Sequence, residues 1–271
     1  MRWREWILRL LVLAGLAPAV ALPAFASCGV IAGTQPFGPP RWQPVAYRPA
    51  AVAPDQVRLT FIGHASFLIE TPDGATAITD YNGYNRPANL VPDIITMNNA
   101  HSTHYTDDIP PGVRHVLRGW DPGGGMAVHN VQWRDLRVFN VPTNVREYGA
   151  GTRQNGNSIF VFSAADLCIA HLSHIHHTLT DTHLRELGPI DVLLAPVDGS
   201  WTTSQEDVLT VIGQIKPRLV IPMHFIVSNV LERFLAKAAP QYPARFSNSP
   251  EVLLTRTALP RRTEILVLPG H

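Results

Sequence analysis

Pro92-Asp93-Ile94-Ile95-Thr96-Met97-Asn98-Asn99-Ala100-His101-Ser102-Thr103-His104 is the stretch on which the reading of this chain turns. A short apolar run of strand length breaks off into a polar loop carrying two histidines three residues apart. Two later runs end in the same way. Asp166-Leu-Cys-Ile-Ala170 leads into His171, His174, His176 and His177, and Leu219-Val-Ile-Pro-Met223 leads into His224. Loops that leave the ends of strands are where an α/β sheet collects its ligands, because a rigid scaffold aims side chains that are free to converge. Imidazole is the commonest protein metal ligand. Three such loops can therefore close a metal site from His104, His174 and His224, with His101 as a fourth ligand or a substrate contact.

The rest of the chain supports an α/β fold. Strand-like runs are expected at 57–62, 66–70, 75–79, 94–97, 115–117, 136–141, 158–162, 167–171, 192–195, 219–222, 252–254 and 265–268, punctuated by turn signals such as Pro72-Asp-Gly74. Helical periodicity gathers at 181–187, 204–215 and 229–238. In the second of these Val208, Val211, Ile212 and Ile215 share a face, behind a Ser204 placed to start the helix. Many strands with few helices predict sheets covered by helices in a single domain, 56–271.

Ahead of that domain, residues 1–27 carry Arg2, Arg4 and Arg9, an apolar stretch from Leu10 to Leu22 and a small-residue end at Ala24-Phe-Ala-Ser27, the pattern of a secretory signal peptide. Cleavage after Ala26 would free a soluble protein. Phe25-Ala-Ser-Cys28 resembles a bacterial lipobox, which would instead leave a lipidated Cys28 as a membrane anchor. Either way the expected location is outside the cytoplasm, in the periplasm or cell envelope. Residues 28–55, with prolines at 36, 39, 40, 44, 49 and 54, read as a tether. Cys28 and Cys168 are the two cysteines, so a Cys28–Cys168 disulfide is the rival to lipidation, and a buried inert thiol is the third expectation for Cys168.

Lys plus Arg is 22 against 21 Asp plus Glu, for a net charge of +1; the signal segment holds three Arg and one Glu, net +2, which leaves −1 on the mature chain. No strong basic field remains, so nucleic acid is not an expected partner and a small-molecule substrate is. Gly123-Gly-Gly125 lacks the Lys-Ser/Thr of a phosphate loop and predicts a hairpin turn. Gly149 to Gly156 predicts a plain connector. Trp120, Tyr148, Trp201 and Phe225 are candidates to line a substrate groove. His115, His129 and His271 lack partners in sequence, and His177 and His183 read as solvated or structural.

From about Val57 to Phe225 the residues resemble the metallo-β-lactamase superfamily, in its lactamase-B-3-like branch of metal-dependent hydrolases. Val57-Arg-Leu-Thr-Phe-Ile-Gly-His64-Ala-Ser-Phe-Leu-Ile-Glu70 is similar to the family's first hairpin. Ala77-Ile-Thr-Asp80 is similar to the strand that ends in its Asp, and Ala170-His-Leu-Ser-His174 to its H-L-G-D turn. Asp191 to Gly199 and Pro217 to His224 look like its last core strands and final ligand. The resemblance implies a four-layer αββα sandwich. The family's metal loop, H-x-H-x-D-H, stands here as Asn99-Ala-His101-Ser-Thr103-His104, its third-strand histidine as Asn144 or Val145, and its bridging Asp as His174.

Carried over position by position, the resemblance implies one divalent transition-metal ion, by expectation zinc, on His101, His104, His174 and His224. Three imidazoles and a water form a catalytic zinc set, and the ion would acidify that water toward a pKa of about 7, giving a hydroxide nucleophile. Asn99, Thr103 and Asn144 are the polar groups expected around it, and Asp80, Asp107 and Asp108 the carboxylates nearest in sequence. Asp80 is the expected acceptor behind a ligating imidazole. The function implied is hydrolysis of an ester-type bond, phosphodiester or lactone. The rivals are a non-catalytic metal-binding or interaction protein and a vestigial, metal-free site.

Overall fold

The computed structural model describes residues 51–270 apart from 88, 99, 100 and 148–150. The expected signal peptide, most of the tether, Cys28, Asn99, Tyr148 and His271 lie outside the described residues. The strands are β1 (Gln56–Gly63), β2 (Ser66–Glu70), β3 (Thr76–Ile78), β4 (Ile94–Met97), β5 (His115–Arg118), β6 (Asn130–Trp133), β7 (Leu136–Glu147), β8 (Gly151–Ala164), β9 (Leu167–His171), β10 (Val192–Pro196), β11 (Leu219–Met223), β12 (Ala244–Phe246), β13 (Glu251–Thr255) and β14 (Glu264–Val267). The helices are α1 (Asp181–Leu187), α2 (Gln205–Ile215) and α3 (Ser228–Ala238). No described helix is long and apolar enough to cross a membrane.

Two sheets face each other, one in the order β13-β1-β2-β3-β4-β5 and the other β12-β14-β11-β10-β9-β8-β7-β6. Strand alternation sorts the side chains into layers. Val57, Leu59, Phe61, Phe67 and Ile69 meet Val138, Phe160, Phe162, Ile169, Val192, Leu194 and Ile221 between the sheets. The opposite parity of the second sheet, including Val161, Cys168, Ala170, Leu193, Ala195 and Val220, packs under Val208, Val211 and Ile212 of α2 and Leu231 and Phe234 of α3. On the outer face of the first sheet Leu68, Ile78, Ile95 and Met97 are covered by Tyr81, Leu90, Tyr105, Ile109, Val113 and Trp120, which come from β5's preceding loops and its exit. The expected two-sheet α/β sandwich is thus present, and its outer layer over the first sheet is built, among the described residues, from loops.

Helix ends follow local chemistry. The Thr180 hydroxyl accepts from the His183 N–H while His183 Nδ1 accepts from the Thr180 N–H, and the Ser204 hydroxyl caps Asp207.

Three expectations need correcting. Gly123-Gly-Gly125 is not a hairpin turn: β5 and β6 belong to different sheets, and the triglycine lies in the crossover, with the Asp121 carboxylate accepting the N–H groups of Gly123 and Gly125. Residues 151–156 are not a connector. They open β8, pairing Gly151 with Glu147 and Arg153 with Val145, and the strand was hard to read because its solvated end carries no apolar alternation. Cys168 is not an inert thiol; it is disulfide-bonded.

Candidate metal centre

The strands from β3 to β5 and from β9 to β11 run parallel within their sheets, so their carboxyl ends share one edge of the sandwich. Asp80 follows β3, His101 and His104 follow β4, His174 follows β9 and His224 follows β11. His64 joins them from the turn between β1 and β2. Three of these residues, and Ser173 beside His174, hold non-glycine left-handed backbone: His64 (φ 54°), Asp80 (41°), His224 (59°) and Ser173 (50°). Each such residue costs about 1 kcal/mol or more, and such strain collects where a site needs an unusual side-chain direction.

Ligand nitrogens of His101, His104, His174 and His224 lie within 4.8 Å of one another, with His101 half-buried and the other three buried. Two contacts are close: His104 Nε2 to His224 Nε2 at 3.1 Å, and His101 Nε2 to His174 Nε2 at 3.1 Å. Donors about 2.0–2.1 Å from one ion stand roughly 2.9–3.4 Å apart at octahedral or tetrahedral angles, so both pairs suit a shared cation.

The far sides of the rings decide their tautomers. His104 Nδ1 donates to Asp80 Oδ2 at 2.6 Å, and His224 Nδ1 lies 3.1 Å from Asp198 Oδ1. A carboxylate accepts only, so each ring keeps a proton on Nδ1, and the neutral form of each turns a bare Nε2 lone pair to its partner. Two lone pairs facing at 3.1 Å repel unless a cation lies between them. His101 differs, because its Nδ1 meets the Thr103 hydroxyl at 2.7 Å, a group that can donate or accept. His174 Nδ1 is buried with no hydrogen-bond partner.

Asp80 is anchored in turn by the Ser173 hydroxyl at 2.6 Å and Asn98 Nδ2 at 3.1 Å. Asn98 also accepts the Ser158 N–H at 2.8 Å, and a Cβ on Gly119 would stand 2.1 Å from its Oδ1, so that glycine makes the approach possible. Burial alone would raise the Asp80 carboxyl; His104, His171 and the hydrogen bonds outweigh it and hold the group well below the usual carboxylate range. Asp198 is likewise held low against its own desolvation by His224, by the Thr202 hydroxyl and by the N–H groups of Ser200, Trp201 and Thr202. Burial, then repulsion from neighbouring rings, depresses His64 to about 3, His101 to about 4 and His174 further. Neutral imidazoles are the form that binds a metal.

Thr103 therefore stands behind His101, and Asp80 behind His104, rather than against a reacting atom. Asn144 accepts the Asn155 N–H and offers its own N–H to His177, outside the cluster. Asp107 pairs with Arg118 at the surface. His171 donates to the Ala65 carbonyl, and both nitrogens of His176 are engaged by the Arg146 N–H and the Trp201 carbonyl. Of the groove aromatics, Trp201 is 6.4 Å from His101 between ring centroids, Trp120 packs on Tyr105, and Phe225 is in the core.

Sequence reasoning missed His64 and Asp198. The His64 ring is 4.2 Å from that of His224 and 5.1 Å from that of His104, and the His224 N–H donates to the His64 carbonyl at 2.8 Å. The signal for both was the one used for the others, a polar residue just past a strand end.

The family model described as "Beta-lactamase superfamily domain" matches residues 58–224. A UPF0173 metal-dependent hydrolase from Carboxydothermus hydrogenoformans is 24% identical over 191 residues, covering 62% of this chain and 84% of that protein. Another from Methanosarcina mazei is 21% identical over 201 residues, covering 65% and 86%. Among solved structures, a metallo-beta-lactamase superfamily protein from Thermotoga maritima matches with a TM-score of 0.57 at 22% identity, covering 78% of this chain and 98% of that one. A metallo hydrolase from the archaeon Ignicoccus hospitalis matches with a TM-score of 0.50 at 17% identity, covering 68% and 91%.

Proposed function

Since the chain belongs to the beta-lactamase superfamily, we propose that it is an exported hydrolase holding one divalent transition-metal ion, zinc by preference, on His101, His104, His174 and His224, and that it cleaves an ester-type bond. The observation that carries this reading is the approach of His104 Nε2 to His224 Nε2 at 3.1 Å, with the far nitrogen of each ring held by a carboxylate, buried Asp80 and partly buried Asp198. Relatives are named metal-dependent hydrolases. A bound divalent ion would supply Lewis acidity for the scissile carbonyl or phosphoryl oxygen and lower the pKa of a water toward neutrality.

The protein's own residues set the terms of that chemistry. Asp80 and Asp198 are positioning residues: each fixes one imidazole in the metal-binding tautomer. His101 is the arm that can yield. It is the half-buried member, and its Nδ1 partner is a hydroxyl that tolerates either tautomer. Four imidazoles fill all four positions of a tetrahedral zinc ion, whereas catalytic zinc keeps one open. With His101 turned away, His104, His174 and His224 would still hold the ion and leave it accessible to water or substrate. Water adds across the ester, and an acid and an alcohol leave.

Export is supported by the disulfide at Cys168, since disulfides persist in oxidising compartments. The chain's other cysteine is Cys28; lipidation would consume the thiol that an intramolecular bond needs, so the disulfide favours the soluble form over the lipid-anchored one.

A second reading, a non-catalytic metal-binding or interaction protein, draws on the same donor set. Thr103 and His174 stand where the family has carboxylates, and four imidazoles can seal an ion from substrate. The test is to load the mature chain with zinc, measure metal content, and assay carboxylic esters, lactones and phosphodiesters beside His224→Ala. Metal-dependent turnover lost in the variant supports the hydrolase; one tightly held ion with no turnover on any substrate supports the binding protein.

A further inference from the structure

Three loops that bear or brace the ligands also carry large apolar side chains into solvent. Of nine exposed large hydrophobic residues among those described, four lie here: Tyr84 (83% exposed), Trp201 (53%), Ile226 (76%) and Val227 (51%). Trp201 follows the Asp198 turn and its ring centroid is 6.4 Å from that of His101. Ile226 and Val227 come directly after His224-Phe225. Tyr84 sits on a loop stitched to the site from both sides, by Asn82 Nδ2 on the Thr103 carbonyl at 2.9 Å and Asn85 Nδ2 on the Gly63 carbonyl at 3.1 Å. Exposed apolar clusters of this kind mark binding surfaces.

The charge count points the same way. Four neutral imidazoles add nothing to a divalent ion, and the two carboxylates behind them, buried Asp80 and partly buried Asp198, offset its charge. No surplus positive charge remains at the centre to attract an anion. The arginines on the surrounding segments direct donors to main-chain carbonyls, Arg86 to Leu90 and Arg146 to Ser200 and Thr202. A phosphodiester carries a negative charge and wants cationic donors; an uncharged carboxylic ester or lactone does not.

We propose that the substrate is an uncharged carboxylic ester or lactone whose acyl or aryl group lies against Trp201, Ile226, Val227 and Tyr84, and that these residues set the preference for its length. This rests on the hydrolase reading above. Each buried methylene contributes about 0.8 kcal/mol, so even partial cover of a six-methylene extension should show as at least about tenfold.

The test uses the zinc-loaded mature chain with p-nitrophenyl acetate, p-nitrophenyl octanoate and bis(p-nitrophenyl) phosphate, and in parallel measures binding of octanamide and acetamide by calorimetry. The expected result is at least about tenfold higher kcat/KM for the octanoate than for the acetate, carried by KM, with the phosphodiester lowest. Trp201→Ala and Ile226→Ser should erase most of the chain-length effect at unchanged metal content. Equal kcat/KM for the two esters, or preference for the phosphodiester, would overturn the proposal while leaving hydrolysis standing. If no ester turns over, the hydrolase reading fails, and the amides still decide the rim: octanamide binding at least about tenfold tighter, and weakened in both variants, retains it as an acyl-binding surface. Equal affinities overturn it, as would vesicle binding abolished by Trp201→Ala, which assigns the rim to a membrane.

Discussion

Asp80 holds His104 at 2.6 Å from carboxylate oxygen to Nδ1, with both groups fully buried. A buried Asp in such a place needs donors, and it has three, from His104, Ser173 and Asn98. The ring is thereby fixed with Nε2 bare and aimed at His224. Asp80→Asn keeps the shape but can offer an N–H to Nδ1, which permits the opposite tautomer. Zinc affinity should fall about 10–100-fold, measured by competition with a chromophoric chelator. Unchanged affinity would show that the tautomer is set by something else.

His101 and His104 sit on the same loop but should behave differently. His104→Ala removes a buried ligand braced by a carboxylate, and more than about a hundredfold of zinc affinity should go with it; His101→Ala removes the half-buried ligand braced by a hydroxyl and should cost about tenfold. With cobalt in place of zinc, His101→Ala should also change the visible d–d bands toward those of a site with an added solvent ligand. Equal losses from both variants would remove the distinction drawn for His101.

The apo chain should weaken in mild acid. His101 is depressed to about 4 and His64 to about 3, chiefly by burial, against 6.5 for an unperturbed histidine. Between those values the unfolded chain binds more protons, so this contribution to stability is complete above about pH 6.5 and is lost as pH falls toward 4 and then 3. Thermal unfolding with chelator present, at intervals from about pH 7.5 to 4.5, should show Tm falling below about 6.5, and a flat profile would contradict it.

Reduction should destabilise the protein. With Cys168 in a disulfide, a reducing agent should lower stability by about 2–4 kcal/mol, and alkylation of the unreduced chain should label no thiol at Cys168. A labelled Cys168 before reduction would contradict the bond.

Much of the fold was open to reading from sequence because its strands are buried on both faces or alternate cleanly. Apolar runs such as Val192–Pro196 and Leu219–Met223 leave little choice of structure, and α2 announces itself through Ser204. The outer end of β8 and the half-exposed edge strand β6 were not legible, since solvated pairing leaves no hydrophobic period. At the site, spacing brought out the four histidines. The roles of their braces were less legible: Thr103 turns toward His101 and not toward the space between the rings, a matter of one torsion. Asp198 stood at a strand end like the others, but its role was not legible, because the turn of three N–H groups that holds its carboxylate is assembled only by the fold.

The most direct test is the zinc content of the mature chain after loading and exhaustive dialysis, read beside His104→Ala and His224→Ala. A shared four-imidazole centre predicts about one ion per chain in the natural protein and less than about a tenth in either variant. No bound metal in the natural protein, two ions per chain, or an ion that survives both substitutions would contradict it.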